Sequence, residues 1–202
     1  MTKIIALCGF EGSGKDTVAN YMVEKYGYTK ISFAKILKDV VSILFDWDRQ
    51  LLEGETNESR IWRETIDEWW SKELNIPNFT PRYALKFIAT DLFRQYFNDK
   101  IWLLALKRQI DKYDKIVISD CRFKNEFEFV NSIGGDIFHI QRHVPSWFNN
   151  YKSGLNVDEI NSLHVSQYEW IRCNWSMIIN NSDDIETTKF NVDVLVEYYG
   201  LM

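Results

Sequence analysis

Gly9, Phe10, Glu11, Gly12, Ser13, Gly14, Lys15, Asp16 and Thr17 follow directly on the apolar run Lys3-Ile4-Ile5-Ala6-Leu7-Cys8. The spacing is G-x-x-x-x-G-K. Glycines at these positions let successive backbone N–H groups turn inward, where they can converge on phosphate oxygens. A helix starting near Lys15 adds the positive end of its dipole, and the Lys15 ammonium is a compact point charge that can reach the outer phosphates. The chemistry implied is binding of a nucleoside triphosphate such as ATP, with Mg²⁺ as its counter-ion. Asp16 stands where Ser or Thr usually offers a hydroxyl to that ion, and Thr17 lies one residue further on.

Three further groups could complete such a site. Asp120 ends the apolar run Lys115-Ile116-Val117-Ile118-Ser119, the usual place for a carboxylate that holds Mg²⁺ directly or through water. An N-cap for the helix starting near Phe123 is the alternative. Arg122 follows at the mouth of the same strand and could clamp phosphates with its forked guanidinium. An ion pair with Glu126 is its alternative. Arg142 ends a second apolar run, before a segment that could close over a nucleotide, and could stabilise charge on a transferring phosphoryl group. An ordinary exposed arginine is the alternative there. Arg60 and Arg63 read as part of a charged helical face. His139, His143 and His164 have neither metal nor triad spacing, and His139 alternates into a strand.

The elements that must position these groups alternate. Strands are expected at 3–8, 28–33, 115–119, 136–141 and 176–179. Helices are expected after Lys15, through Ile36 to Phe45, from Pro81, through Trp102 to Ile110, through Phe127 to Ile133, and through Ile185 to Tyr199. Leu85, Ile88, Leu92 and Tyr96 are expected to form one face of the helix from Pro81. Strands alternating with helices imply a parallel sheet with right-handed crossovers. Ligands of such sheets gather at the carboxyl ends of the strands, so Asp120 and Lys15 are expected to face one crevice. Residues 46–80 are polar and charged, with Trp47, Trp62, Trp69 and Trp70 interspersed, and read as a helical insertion. The segment from His143 to about Asn156 reads as a mobile, lid-like loop, extending to about residue 160.

The whole chain narrows the classes. Its 202 residues suit a single α/β domain with an elaboration. A net charge of −5 argues against a nucleic-acid surface as the main business. No apolar run approaches the length of a membrane span. Cys8, Cys121 and Cys173 are odd in number and scattered, which predicts reduced thiols in a cytoplasmic protein and no structural zinc. The expected partners are small nucleotides, and a homodimer is left open.

Four blocks resemble the deoxynucleoside monophosphate kinases of bacteriophages and related viruses: residues 9–17 with Ser-Gly-Lys-Asp-Thr; residues 82–91, followed by Arg94 and Trp102; Asp120-Cys121-Arg122; and residues 138–142. Ala89 replaces a glycine of that pattern, and Lys86 a glutamine. The resemblance implies a P-loop kinase fold, with a five-stranded parallel sheet flanked by helices; it does not extend over roughly Trp47 to Asn78, and the helical insertion at about 46–80 is expected to bind substrate. The resemblance implies transfer of the γ-phosphoryl of ATP to a deoxynucleoside 5′-monophosphate, with Mg²⁺ positioned by Asp120, Thr17 or water. It adds Arg82, Asp91 and Arg94 as substrate-side groups. Dephospho-coenzyme A or phosphomevalonate kinase chemistry on the same scaffold is one alternative, and a nucleotide-dependent switch or ATPase is another. A polynucleotide 5′-kinase fits the acidic charge less well.

Overall fold

The computed structural model describes residues 2–201. Two compact units emerge: one holds the N-terminal residues up to Ser32 together with those from Lys107 onward, and the other is Phe33–Leu106.

The first unit is built on a five-stranded sheet in the order β2-β3-β1-β4-β5. Its strands are β1 (Lys3–Cys8), β2 (Thr29–Ile31), β3 (Lys115–Ile118), β4 (Asp136–Gln141) and β5 (Met177–Asn180). Every pairing is parallel. β1 is central, and Ile5, Ala6, Leu7 and Cys8 are fully buried, as a strand covered on both faces requires. One face packs on α1 (Lys15–Tyr26) and α9 (Ile185–Tyr198). There Leu7, Val18, Met22, Phe138, Ile140 and Val192 share a single core. Tyr21, Tyr26 and Lys25 of α1 all bind the Asp193 carboxylate of α9, at 2.6–2.8 Å, and so tie the two helices together.

Ile137 and His139 alternate onto the opposite face. The His139 ring is fully buried, with ring centroids of Trp175 at 4.7 Å, Trp170 at 5.0 Å and Phe148 at 5.7 Å. Burial, with the Lys152 and Lys15 charges, holds its pKa down to about 4, so the imidazole is neutral at pH 7. α7 (Lys124–Ser132) follows β3. The segment expected as a mobile loop carries α8 (Phe148–Lys152), whose Phe148 and Tyr151 are buried. Its Pro, Ser, Asn and Gly residues flank a short helix held by aromatic packing, a signal too brief for periodicity to reveal.

The second unit contains α2 (Ala34–Phe45), α3 (Asn57–Glu64), α4 (Glu68–Glu73) and α5 (Pro81–Lys86). Pro81 occupies the first turn of α5, and Thr80 caps it by accepting from Tyr83 N–H at 3.1 Å. The tryptophans scattered through the polar insertion form a core of their own. Phe45 and Trp47 stack at 4.5 Å, and Trp70 and Phe79 meet Phe45 at 4.9 and 5.4 Å. Their indole N–H groups are satisfied: Trp47 donates to Asp67 at 2.8 Å and Trp70 to Phe45 O at 3.1 Å.

The helix expected from Pro81 changes character. From Phe87 to Phe97 it is a π-helix, which closes with an i→i+5 bond from Asn98 N–H to Phe93 O at 2.8 Å. The wider turn rotates less per residue and re-phases the apolar stripe. Leu85 and Ile88 are buried, whereas Leu92 is 45% exposed and Tyr96 79% exposed, so the four do not share one face. α6 (Ile101–Ile110) follows, with Trp102, Leu103, Leu106 and Ile110 buried.

Candidate active site

The loop between β1 and α1 is shaped by backbone geometry that only glycine tolerates well. Gly9, Gly12 and Gly14 have φ of 141°, 77° and 95°. A Cβ on Gly9 would lie 2.5 Å from Ile140 O, and one on Gly14 would lie 2.2 Å from Asn181 Nδ2. Ser13 Oγ is buried without a hydrogen-bond partner. Such a cradle, with a buried donor left unmatched, fits a ligand rich in acceptor oxygens.

Lys15, the first residue of α1, is 6% exposed. Its ammonium donates to Gly9 O at 3.0 Å and to Phe10 O at 2.7 Å. Burial lowers its pKa to about 8, and the neighbouring Arg122 charge adds to the effect. The loop therefore holds a desolvated cation close to neutrality and beside a second cation. An incoming polyphosphate would relieve both penalties.

The strand ends deliver the remaining groups. Beyond β3, Ser119 N–H bonds Ile31 O at 3.2 Å and Cys121 N–H bonds Leu7 O at 3.1 Å. These bonds carry residues 119–121 along the carboxyl end of the sheet and bring Asp120 and Arg122 to the end of β1, where the loop begins. The spacing that suggested an ion pair between Arg122 and Glu126 serves the backbone instead. The Glu126 carboxylate serves the start of α7, accepting from Arg122 N–H at 2.7 Å and Phe123 N–H at 3.0 Å. Glu126 is thus a buried cap, and the Arg122 side chain is half-buried. β4 runs beside β1 with Cys8 opposite His139, so Arg142 leaves the sheet at the same end, exposed.

Asp16 points elsewhere. Its carboxylate pairs with Lys30 of β2 at 2.9 Å. Thr17 is exposed on the first turn of α1. No group of three His, Cys, Asp or Glu side chains able to hold a metal occurs among the described residues. Mg²⁺ is commonly held by one or two carboxylates plus substrate phosphates, and Asp120 and Thr17 have oxygen donors of that kind. Cys8, at the foot of the loop, is a buried thiol whose pKa is pushed up by burial, which keeps it protonated at neutral pH.

Arg82, Asp91 and Arg94 all lie in the second unit. Arg82 Nε is 3.7 Å from Glu64 Oε1. Asp91 is exposed and Arg94 half-buried, both on the π-helix. Trp102 Nε1 donates to Ala89 O at 3.1 Å, which anchors that helix. Arg60 closes its own turn, donating to Gly54 O at 3.1 Å and Glu55 O at 3.2 Å.

A protein of Acanthamoeba polyphaga mimivirus assigned as a deoxynucleotide monophosphate kinase is 31% identical over 176 residues, covering 80% of this chain and 86% of its own. The chain belongs to the deoxynucleotide monophosphate kinase family. The deoxynucleoside-5′-monophosphate kinase of Escherichia phage T5 is 25% identical over 180 residues, covering 64% of this chain and 72% of its own. Dephospho-CoA kinase from Campylobacter jejuni shares the fold, with a TM-score of 0.53 at 15% identity over all of both chains. No family model matches. The kinase carries the P-loop fold that the resemblance implies, on the parallel sheet expected from the strand order. No helix among its described residues is long and apolar enough to cross a membrane.

Contacts that the sequence reading did not single out also surround the loop. Phe10 packs edge-on against Trp170 at 5.1 Å, Phe148 at 5.9 Å and Trp147 at 6.0 Å. Asn181 binds the loop backbone from the end of β5. An aromatic in the loop's second position and an Asn-Asn pair after a strand were the available signals. Both read equally well as ordinary packing and an ordinary turn.

Proposed function

We propose that the kinase transfers the γ-phosphoryl group of ATP to the 5′-phosphate of a deoxynucleoside monophosphate, giving the diphosphate and ADP. The observation that carries this reading is the buried Lys15 ammonium, held beside Arg122 in a cradle of glycine backbone, in a chain whose relatives are named for that reaction. Residues 10–17 hold the donor, with backbone N–H groups and Lys15 on its phosphates. Arg122 and Arg142 neutralise charge that builds on the transferring group. Arg82, Asp91 and Arg94 serve the acceptor. Asp120 and Thr17 would hold Mg²⁺, which, when bound, offsets charge on the donor phosphates. No covalent enzyme intermediate is needed; positioning and charge compensation suffice.

The test is an acceptor panel: ATP with each deoxynucleoside and ribonucleoside monophosphate, and with dephospho-coenzyme A and phosphomevalonate, resolved by chromatography. At least one deoxynucleoside diphosphate should form in step with ADP. Phosphorylation of another acceptor alone would replace the reading with one of its rivals. ADP and inorganic phosphate without any phosphorylated acceptor would indicate an ATPase.

A further inference from the structure

We infer that Asn181, pinned by Thr188, is a positioning residue that aims the Gly14 N–H of the phosphate loop. Asn181 follows β5 and extends the ladder to β4, its N–H bonding Gln141 O at 2.9 Å. Its side chain reaches back across 168 residues of sequence, and Nδ2 donates to Ser13 O at 2.7 Å in a buried contact. The other end of the amide, Oδ1, is 2.5 Å from the Thr188 hydroxyl on α9. Asn181 is 8% exposed and Thr188 2%.

The chemistry of the partners sets the direction of each bond. Ser13 O can only accept, so the amide nitrogen must face it, and Oδ1 must face the Thr188 hydroxyl. Thr188 Oγ also lies 3.1 Å from Asp184 O, at the start of the same helix. A chain of hydrogen bonds thus runs from α9 to the loop.

The consequence follows from the peptide plane. The described chain has no cis peptide bond, so the Ser13 carbonyl and the Gly14 N–H of one rigid unit point in opposite directions. Holding Ser13 O toward Asn181 turns Gly14 N–H the other way. That N–H has no acceptor among the described residues, and it sits immediately before Lys15. The close approach also accounts for Gly14 itself, since a Cβ there would collide with Nδ2 at 2.2 Å. Asn181 therefore acts through the loop backbone and has no need to touch the nucleotide.

This inference rests on the reading of residues 10–17 as the donor site, and its test needs no acceptor. Calorimetry would measure ADP and inorganic tripolyphosphate binding to wild type, Asn181→Asp, Thr188→Val, Thr188→Ser and Asn180→Ser, with apo melting temperatures alongside. Asn181→Asp sets a carboxylate against Ser13 O and should weaken both ligands by about ten- to a hundredfold, the scale of one mispaired buried group. Thr188→Val should weaken both less, by roughly tenfold, and Thr188→Ser should restore wild-type binding. Asn180→Ser, which alters an exposed turn, should bind normally. If Asn181→Asp does not fold, the Thr188 pair decides. Unchanged affinity in folded Asn181→Asp or Thr188→Val overturns the inference. So does a loss confined to ADP, or a Thr188→Ser defect equal to that of Thr188→Val. If wild type binds ADP yet phosphorylates no monophosphate, the proposed reaction fails while the positioning role stands.

Discussion

The phosphate loop of the first unit and the aromatic cluster of the second bury opposite kinds of group. Around the phosphate loop the first unit buries an ammonium with a depressed pKa, a serine hydroxyl without a partner and glycines in left-handed conformations. The second unit buries rings, and the indole N–H groups of Trp47 and Trp70 each find an oxygen. Poorly satisfied polarity costs stability, and around the loop a bound phosphate would offset that cost. The aromatic cluster of Phe45, Trp47, Trp70 and Phe79 is complete by itself and acts as scaffold. On the proposed function, the loop is organised for a bound phosphate and the aromatic cluster for packing.

Substitutions at equivalent depth should therefore have opposite signatures. Lys15→Ala should lower kcat by roughly three orders of magnitude, as expected for loss of a charge aimed at the transferring phosphoryl group, while the melting temperature stays level or rises. Near-normal turnover would remove Lys15 from the mechanism. Phe79→Ala should do the reverse, costing about 3–5 kcal/mol of stability in denaturant titrations, with ADP affinity unchanged while the protein stays folded. A fall in ADP affinity without loss of stability would break the distinction between site and scaffold.

A pH series sharpens the same contrast. Lys15 is held at about 8 against an ordinary 10.5, by burial first and Arg122 second. Between those values the folded state binds fewer protons than the unfolded state, so stability rises with pH. The penalty is fully present below pH 8 and disappears toward 10.5. Lys15→Met should be more stable than wild type at pH 7 by up to roughly 3 kcal/mol, the equivalent of that displacement. The gap should close as pH rises to 10.5. A gap independent of pH would mean that the stabilisation comes from packing instead.

These regions also differ in how openly the sequence declares them. The loop was legible because each of its constraints is local: glycines at fixed offsets, a lysine, an apolar strand before and a helical stripe after. Asp120, Arg122 and Arg142 were legible because parallel strands end on one side of the sheet, whatever the details of packing. The scaffold was not. Trp47 and Trp70 sit in a polar stretch without periodicity, and only the folded chain brings them to Phe45 and Phe79. Leu92 and Tyr96 leave the face of Leu85 and Ile88 because helical phase does not carry past Phe87, where the backbone passes to i→i+5 bonding. Asn181 was invisible because its partner, Ser13, lies at the far end of the sequence. The role of Glu126 as a buried cap for Arg122 and Phe123 N–H was hidden by its spacing, which suits an ion pair equally well.

The smallest effect is expected at Asp16. Its partner Lys30 is partly exposed, and Asp16 itself mostly so, so the pair is worth about 1 kcal/mol or less. Asp16→Ser should change stability within that limit and kcat by only a few-fold. Loss of Mg²⁺-dependent activity in this variant would move Asp16 from loop support into the metal site.

The most direct measurement follows the phosphoryl group itself. In a single turnover of γ-labelled ATP with excess deoxynucleoside monophosphate, the label should appear in the β-phosphate of the deoxynucleoside diphosphate. Its rate should depend on the monophosphate and collapse in Lys15→Ala. Label released as inorganic phosphate at a rate indifferent to the monophosphate would contradict the account.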